Sequence, residues 1–161
     1  MRTKIMVMLG VLALAFLNYG IYQKEQVKAA GETVLLELAP VDPRSLMQGD
    51  YMRLRYAIER SVNKPSFDKK RGDMVIRPDA EGIGHFVRIH GDETLAQGEK
   101  LLHFHNSYGQ FRIVPDSFMF QEGQAEYYRR AKYGVFKFDG QGNHILVGLA
   151  GEDRTTLHPA E

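Results

Sequence analysis

Two imidazoles stand one residue apart in His103-Phe104-His105. In an extended chain they share one face, a geometry from which a metal site can begin, with His85 or His90 as further donors from a neighbouring strand. No carboxylate at ligand spacing accompanies them, and two histidines on the polar face of a half-exposed strand explain the same residues. Asp116, Glu122 and Glu126 lie close along the chain, and an acid of raised pKa beside an ionised base is what hydrolysis of a glycosidic bond uses. Acids early in a helix, and an ion pair along it, account for Glu122 and Glu126 without catalysis. Ser45 is the only serine in the loop APVDPRSLMQ, residues 39–48, and is the one nucleophile there for a hydrolase. There is no nucleotide-binding glycine loop, metalloprotease helix or serine elbow, and no cofactor is expected. The run Lys69-Lys70-Arg71 is short, lies in the polar stretch 60–72, and reads as a solvated loop.

The stretch GDYMRLRY, residues 49–56, raises a sharper question. Gly49 tolerates backbone angles other residues resist, and Asp50 accepts hydrogen bonds from nearby backbone N–H groups, so the pair has the chemistry of a turn. In a strand that starts at Tyr51, the alternation sends Met52, Leu54 and Tyr56 to one face and Tyr51, Arg53 and Arg55 to the other. The first set is a core face. The second is a candidate surface for an anionic or protein partner, because aromatic and arginine side chains carry much of the energy at interfaces.

Such residues need a scaffold, and the rest of the chain predicts a mostly-β one. A length of 161 residues allows one sizeable core. A hydrophobic fraction of 43% with 25% charged residues excludes extensive disorder. The net charge of +1, with basic residues spread along the chain, gives no footprint for a nucleic acid. The absence of cysteine removes disulfides and thiolate chemistry. Period-two segments separated by turn signals predict strands over 33–38, 51–59, 74–77, 85–90, 100–105, 111–114, 135–139 and 144–149. Between them, Asp79-Ala-Glu-Gly82, Gly91-Asp92, Asn106-Ser-Tyr-Gly109 and Gly140-Gln-Gly-Asn143 supply turn chemistry. One short helix is expected over 122–132, with Glu126 four residues before Arg130 for an ion pair and Gly123 weakening its first turn. The seven aromatic residues from Phe118 to Phe138 are expected mainly as core packing of this helix and the closing hairpin.

The N-terminus sets the compartment. Arg2 and Lys4 precede residues 5–22, roughly 18 residues without a formal charge, or about 27 Å of helix, near the thickness of a hydrocarbon core. The basic end is expected to stay in the cytoplasm, with Tyr19 and Tyr22 at the opposite interface. A cleaved signal peptide has the same start and middle. Its only small-residue exit, near 27–29, lies well beyond the densest apolar part, 5–17, so an uncleaved anchor is expected. The chain therefore divides into an anchor and juxtamembrane linker, 1–28, an extracytoplasmic β-rich domain, 29–152, and a tail, 153–161.

Gly49, Asp50, Tyr51, Leu54 and Tyr56 stand in the spacing that names the GDYXXLXY family of bacterial membrane-anchored proteins, which this chain resembles. The stretch from Phe118 to Leu149 resembles the C-terminal half of that family, with Glu122 and Gly123 in place. The resemblance implies one N-terminal span in the cytoplasmic membrane and a domain in the periplasm or outside the cell. It also implies a gene neighbourhood shared with multi-pass membrane proteins, one of which is the expected partner, and it implies no particular activity. A second similarity is to the fold of signal peptidases and self-cleaving repressors, in the order Pro43, Gly49-Asp50, then Val87 to Asp92, then Ile113-Val114-Pro115. The serine before the loop's proline and the lysine base are absent here. Arg88 stands on the basic strand, and arginine remains protonated. Two functions stay in view: a tethered binding or accessory domain, and a tethered hydrolase using Ser45 or the cluster Asp116, Glu122 and Glu126. The lack of a nucleophile–base pair favours the first.

Overall fold

A computed structural model of the protein describes residues 2–39, 47–48, 51–62, 70–107 and 110–158. The chain opens with helix α1, Arg2–Ala30. Apolar side chains along it, from Ile5 through Leu12 and Phe16 to Tyr22, are exposed. Its stretch Lys4–Ala30 is the one helix among the described residues long and apolar enough to cross a membrane. The last turn docks on the rest of the molecule. Val27 is buried, the Gly31 N–H donates to the Val27 carbonyl at 2.9 Å, and the Lys137 ammonium donates to the Gly31 carbonyl at 3.1 Å.

The remainder is mostly β, as the alternation predicts. Strand β1 (Glu32–Glu37) pairs antiparallel with β9 (Tyr133–Phe138), which pairs antiparallel with β10 (His144–Ala150). A second, four-stranded antiparallel sheet runs β5 (Gly84–Ile89), β4 (Arg71–Pro78), β6 (Lys100–Ser107), β7 (Gln110–Ile113). A small third sheet joins β2 (Met47–Gln48), β3 (Tyr51–Arg53) and β8 (Ser117–Met119). Period two decides which side chains meet. Val34 and Leu36 of β1, Met74 and Ile76 of β4, Leu102 and Phe104 of β6, and Phe136 and Phe138 of β9 form one core with Met52, Leu54 and Tyr56. Leu35, between two of these, faces the other way onto Val135 and Ala150.

Two hairpins use one device. The Asp79 carboxylate accepts from the N–H groups of Glu81 and Ile83 at 2.8 and 2.9 Å, and Gly82 takes a φ of +80°. In the β9–β10 turn the Asp139 carboxylate accepts from the N–H groups of Gln141 and Asn143, both at 2.8 Å, and Gly142 takes a φ of +91°. A side chain would strain both glycine positions, and the short polar aspartate replaces backbone partners the turn cannot provide.

Two sequence expectations need correction. The strand expected over 51–59 ends at Arg53, and residues Ala57–Arg60 form a 3-10 turn. Burial still alternates to Tyr56, because Leu54 and Tyr56 each bond to a different neighbour and no longer to one ladder. The helix expected over 122–132 contracts to α2, Ala125–Tyr128. There Tyr128 is buried against Phe118 and Phe120 at ring separations of 5.1 and 5.5 Å, and one turn is enough to seat it. Glu126 consequently pairs with Arg129, at 3.3 Å, in place of Arg130. After β10, Thr156 bridges Ala150, and Leu157 is buried, its N–H donating to the Leu149 carbonyl at 2.7 Å.

Candidate functional site

Gly49, Asp50 and Ser45 lie outside the described residues. From Tyr51 onward the motif threads between sheets. Tyr51, Met52 and Arg53 pair with Met119, Phe118 and Ser117. The Leu54 N–H donates to the Asp116 carbonyl at 2.8 Å, and the Arg55 carbonyl accepts from the Ala39 N–H at 2.8 Å. Tyr56 bridges Leu38. Its ring is fully buried and meets Phe136 edge-on at 5.7 Å, while its hydroxyl donates to the Pro115 carbonyl at 2.9 Å. Burial, reinforced by the charges of Glu59 and Asp116, pushes the phenol pKa well above its usual range, so Tyr56 is a neutral hydrogen-bond donor in the core.

The outward residues have a different environment. Arg53 and Arg55 are exposed, and Tyr51 is half-buried. Arg55 lines a cleft of about 410 Å³ together with Glu59, Arg60 and Arg112. Glu59 is partly buried there. One of its oxygens accepts from the Ile113 N–H at 3.1 Å, and burial raises its pKa against the opposing pull of that N–H and of Arg112 and Arg55. Arg60 and Arg112 are far apart in the sequence and no local pattern announces their meeting. Strand alternation, which points Arg112 away from the core residues Phe111 and Ile113, was the only available signal.

The other sequence candidates are placed as follows. Asp116 lines a second cleft, of about 850 Å³, with Lys70, Arg71, Asp73, His103 and His105. Glu122 is exposed at the turn before α2, Gly123 has a φ of +83°, and Glu126 is engaged with Arg129. His103 and His105 do share a face. His103 pairs through Nδ1 with the Asp73 carboxylate, brought from β4 by the ladder, and its ring lies 4.7 Å from His144. His144 donates through Nε2 to the Val114 carbonyl at 3.0 Å, and burial lowers its pKa. Among the described residues no group of three or more histidine, aspartate or glutamate side chains is placed to hold a metal ion.

Arg88, on β5, is held by two carboxylates. It donates to Glu93 at 2.9 Å and to Glu99 at 2.8 Å. Glu99 also accepts from Arg77 at 3.0 Å and from the Ala96 N–H at 2.9 Å. The Arg88 hydrogen bond, with that N–H, pushes its pKa down to about 2. This clamp joins β4, β5 and the segment before β6, and nothing in the sequence set Glu99 apart from other surface glutamates.

No curated protein and no solved structure matches the chain. The family model described as GDYXXLXY protein matches residues 13–149. That span runs from within the apolar helix to the last strand and includes both the motif and the closing hairpin, so the chain belongs to the GDYXXLXY family.

Proposed function

We propose that the protein is a single-span, membrane-tethered accessory domain. Its N-terminus stays in the cytoplasm, and its β domain assembles outside with a multi-pass membrane protein or another envelope partner. The observation that supports this is the split within GDYMRLRY. Met52, Leu54 and Tyr56 are consumed by the core, whereas Arg53 and Arg55 remain exposed next to the half-buried Tyr51. An aromatic residue followed at alternate positions by two exposed arginines has the composition of an interface anchor. The uncleaved anchor of residues 1–28 would keep this surface close to membrane-embedded partners.

The test is affinity purification of the full chain from native membranes. Tyr51→Ala with Arg53→Ala is expected to leave the unfolding midpoint within a few degrees and to remove the co-purifying membrane protein. A double variant that folds normally and retains every partner excludes this face.

A further inference from the structure

Guanidinium groups collect along one margin of the fold. In the ladders of β4, β6 and β7, Arg71 stands opposite His105, and His105 opposite Arg112. Residues directly opposite in antiparallel strands share a face with their side chains adjacent. The register therefore lays Arg71, His105 and Arg112 in one row, about 10 Å from first to last at the usual strand spacing. Beyond the edge strand β7 the row continues into the cleft holding Arg55 and Arg60.

Outside this row four arginines are ion-paired, while Arg53 and Arg130 form no such pair among the described residues. Arg77, Arg88, Arg129 and Arg154 each have a carboxylate oxygen between 2.5 and 3.3 Å away. Among the described residues no carboxylate forms such a pair with Arg55, Arg60, Arg71 or Arg112. Glu59 lies among them but gives one oxygen to the Ile113 N–H, and Asp73 is engaged by His103. Arg112 donates only to the neutral Gln110 side chain, at 3.0 Å. Glu59 and Asp116 offset part of this charge, and because like charges held side by side repel, an anion supplied from outside stabilises the guanidiniums that have no ion pair among the described residues.

We propose that this strip, Arg71, His105, Arg112, Arg60 and Arg55, binds an extended acidic peptide segment of the partner. The chemistry is carboxylate recognition, for which the planar guanidinium fork is suited. Length favours a peptide over a single phosphate: one small anion bridges neighbouring guanidiniums, whereas acidic residues along an extended chain match a row three strands wide. Position favours a protein segment over a lipid headgroup. The chain from the end of α1 at Ala30 through β1 to Ala39 at the lip of the cleft spans up to about 30 Å when extended. The inference rests on the docking face proposed above, with which it shares Arg55, and it names the chemistry of the partner.

The test uses the full chain in detergent and a fluorescent peptide of alternating glutamate and serine, with a lysine–serine peptide and inorganic phosphate as comparison probes. The glutamate peptide is expected to bind, to weaken steadily as salt rises from about 50 to about 500 mM, and to bind at least about tenfold more weakly to Arg60→Ala with Arg112→Ala. Glu59→Gln keeps the acceptor for Ile113, removes the one negative charge in the cleft, and is expected to tighten binding. Arg129→Ala, remote and already paired, is expected to change nothing. Equal binding by the Arg60/Arg112 and Arg129 variants, or binding of phosphate without the peptide, overturns the proposal. Purification from membranes separates the two readings. A partner lost with the Tyr51/Arg53 variant but kept by the Arg60/Arg112 variant leaves the docking face standing and defeats the acidic segment. Peptide binding that depends on Arg60 and Arg112, with the partner retained by the Tyr51/Arg53 variant, does the reverse.

Discussion

Leu54 and Arg53 are adjacent in sequence and opposite in consequence. Leu54 is 2% exposed, within the core shared by the β1 and β4 sheets, and truncation there removes buried methyl groups and leaves a cavity. Leu54→Ala is expected to cost about 2–5 kcal/mol. Tyr56→Phe keeps the ring against Phe136 but leaves the Pro115 carbonyl without its donor, for an expected cost of about 1–3 kcal/mol. Arg53→Ala, on the exposed face, is expected to stay within about 0.5 kcal/mol. Denaturant unfolding of the three variants in detergent ranks them, and similar losses for Leu54 and Arg53 contradict the assignment of faces. This ranking was legible in the sequence, because alternation fixes the side a residue faces even where the chain leaves the ladder. The neighbours of Arg55 were not legible: its cleft is built with Arg60 and Arg112, and register between distant strands is written in no local pattern.

The strands follow their turn signals closely. Asp79 and Gly82, and Asp139 and Gly142, end strands because their side-chain and backbone requirements are local. Strands β2 and β8 went unseen because two or three residues are too few to show a period. Helix α2 is shorter than expected, a single turn that carries the buried Tyr128. Between elements, the Glu99 clamp yields a pH dependence whose sign follows from linkage. Glu99 titrates near 4.5 in the unfolded chain and at about 2 in the folded one, so its contribution is complete above pH 4.5 and is lost as pH falls from there towards 2. Stability measured by denaturant titration at stepped pH is expected to fall across that window. Glu99→Gln is expected to be less stable at neutral pH and flatter in acid. An equally steep acid decline in that variant assigns the loss to other carboxylates.

At the scale of the whole molecule, the helix and the β domain demand different solvents. Exposed apolar side chains run along α1 from Ile5 to Tyr22, and a lipid core removes this surface from water without breaking a backbone hydrogen bond, since a helix satisfies its own. The β domain carries its charges outward and needs an aqueous side. The flanks set the expectation for which side: Arg2 and Lys4 precede the apolar run, and Tyr19 and Tyr22 close it, an arrangement in which the basic end is expected to stay in the cytoplasm. A reporter that works only outside the cytoplasm, fused after Glu161, is expected to be active, and one that works only inside is expected to be silent. The N-terminal sequence of the membrane-bound protein is expected to begin before residue 5, because the small residues near Ala29 and Ala30 sit where α1 docks through Val27 and Gly31. Leu12→Arg, at the centre of the span, adds about 2.5–3.5 kcal/mol to the cost of insertion and is expected to shift the protein from the membrane to the soluble fraction. Cytoplasmic reporter activity overturns the orientation, and a mature terminus near Ala30 overturns the anchor. Loss of membrane association in Leu12→Arg with the unfolding midpoint retained locates the tether in the helix alone.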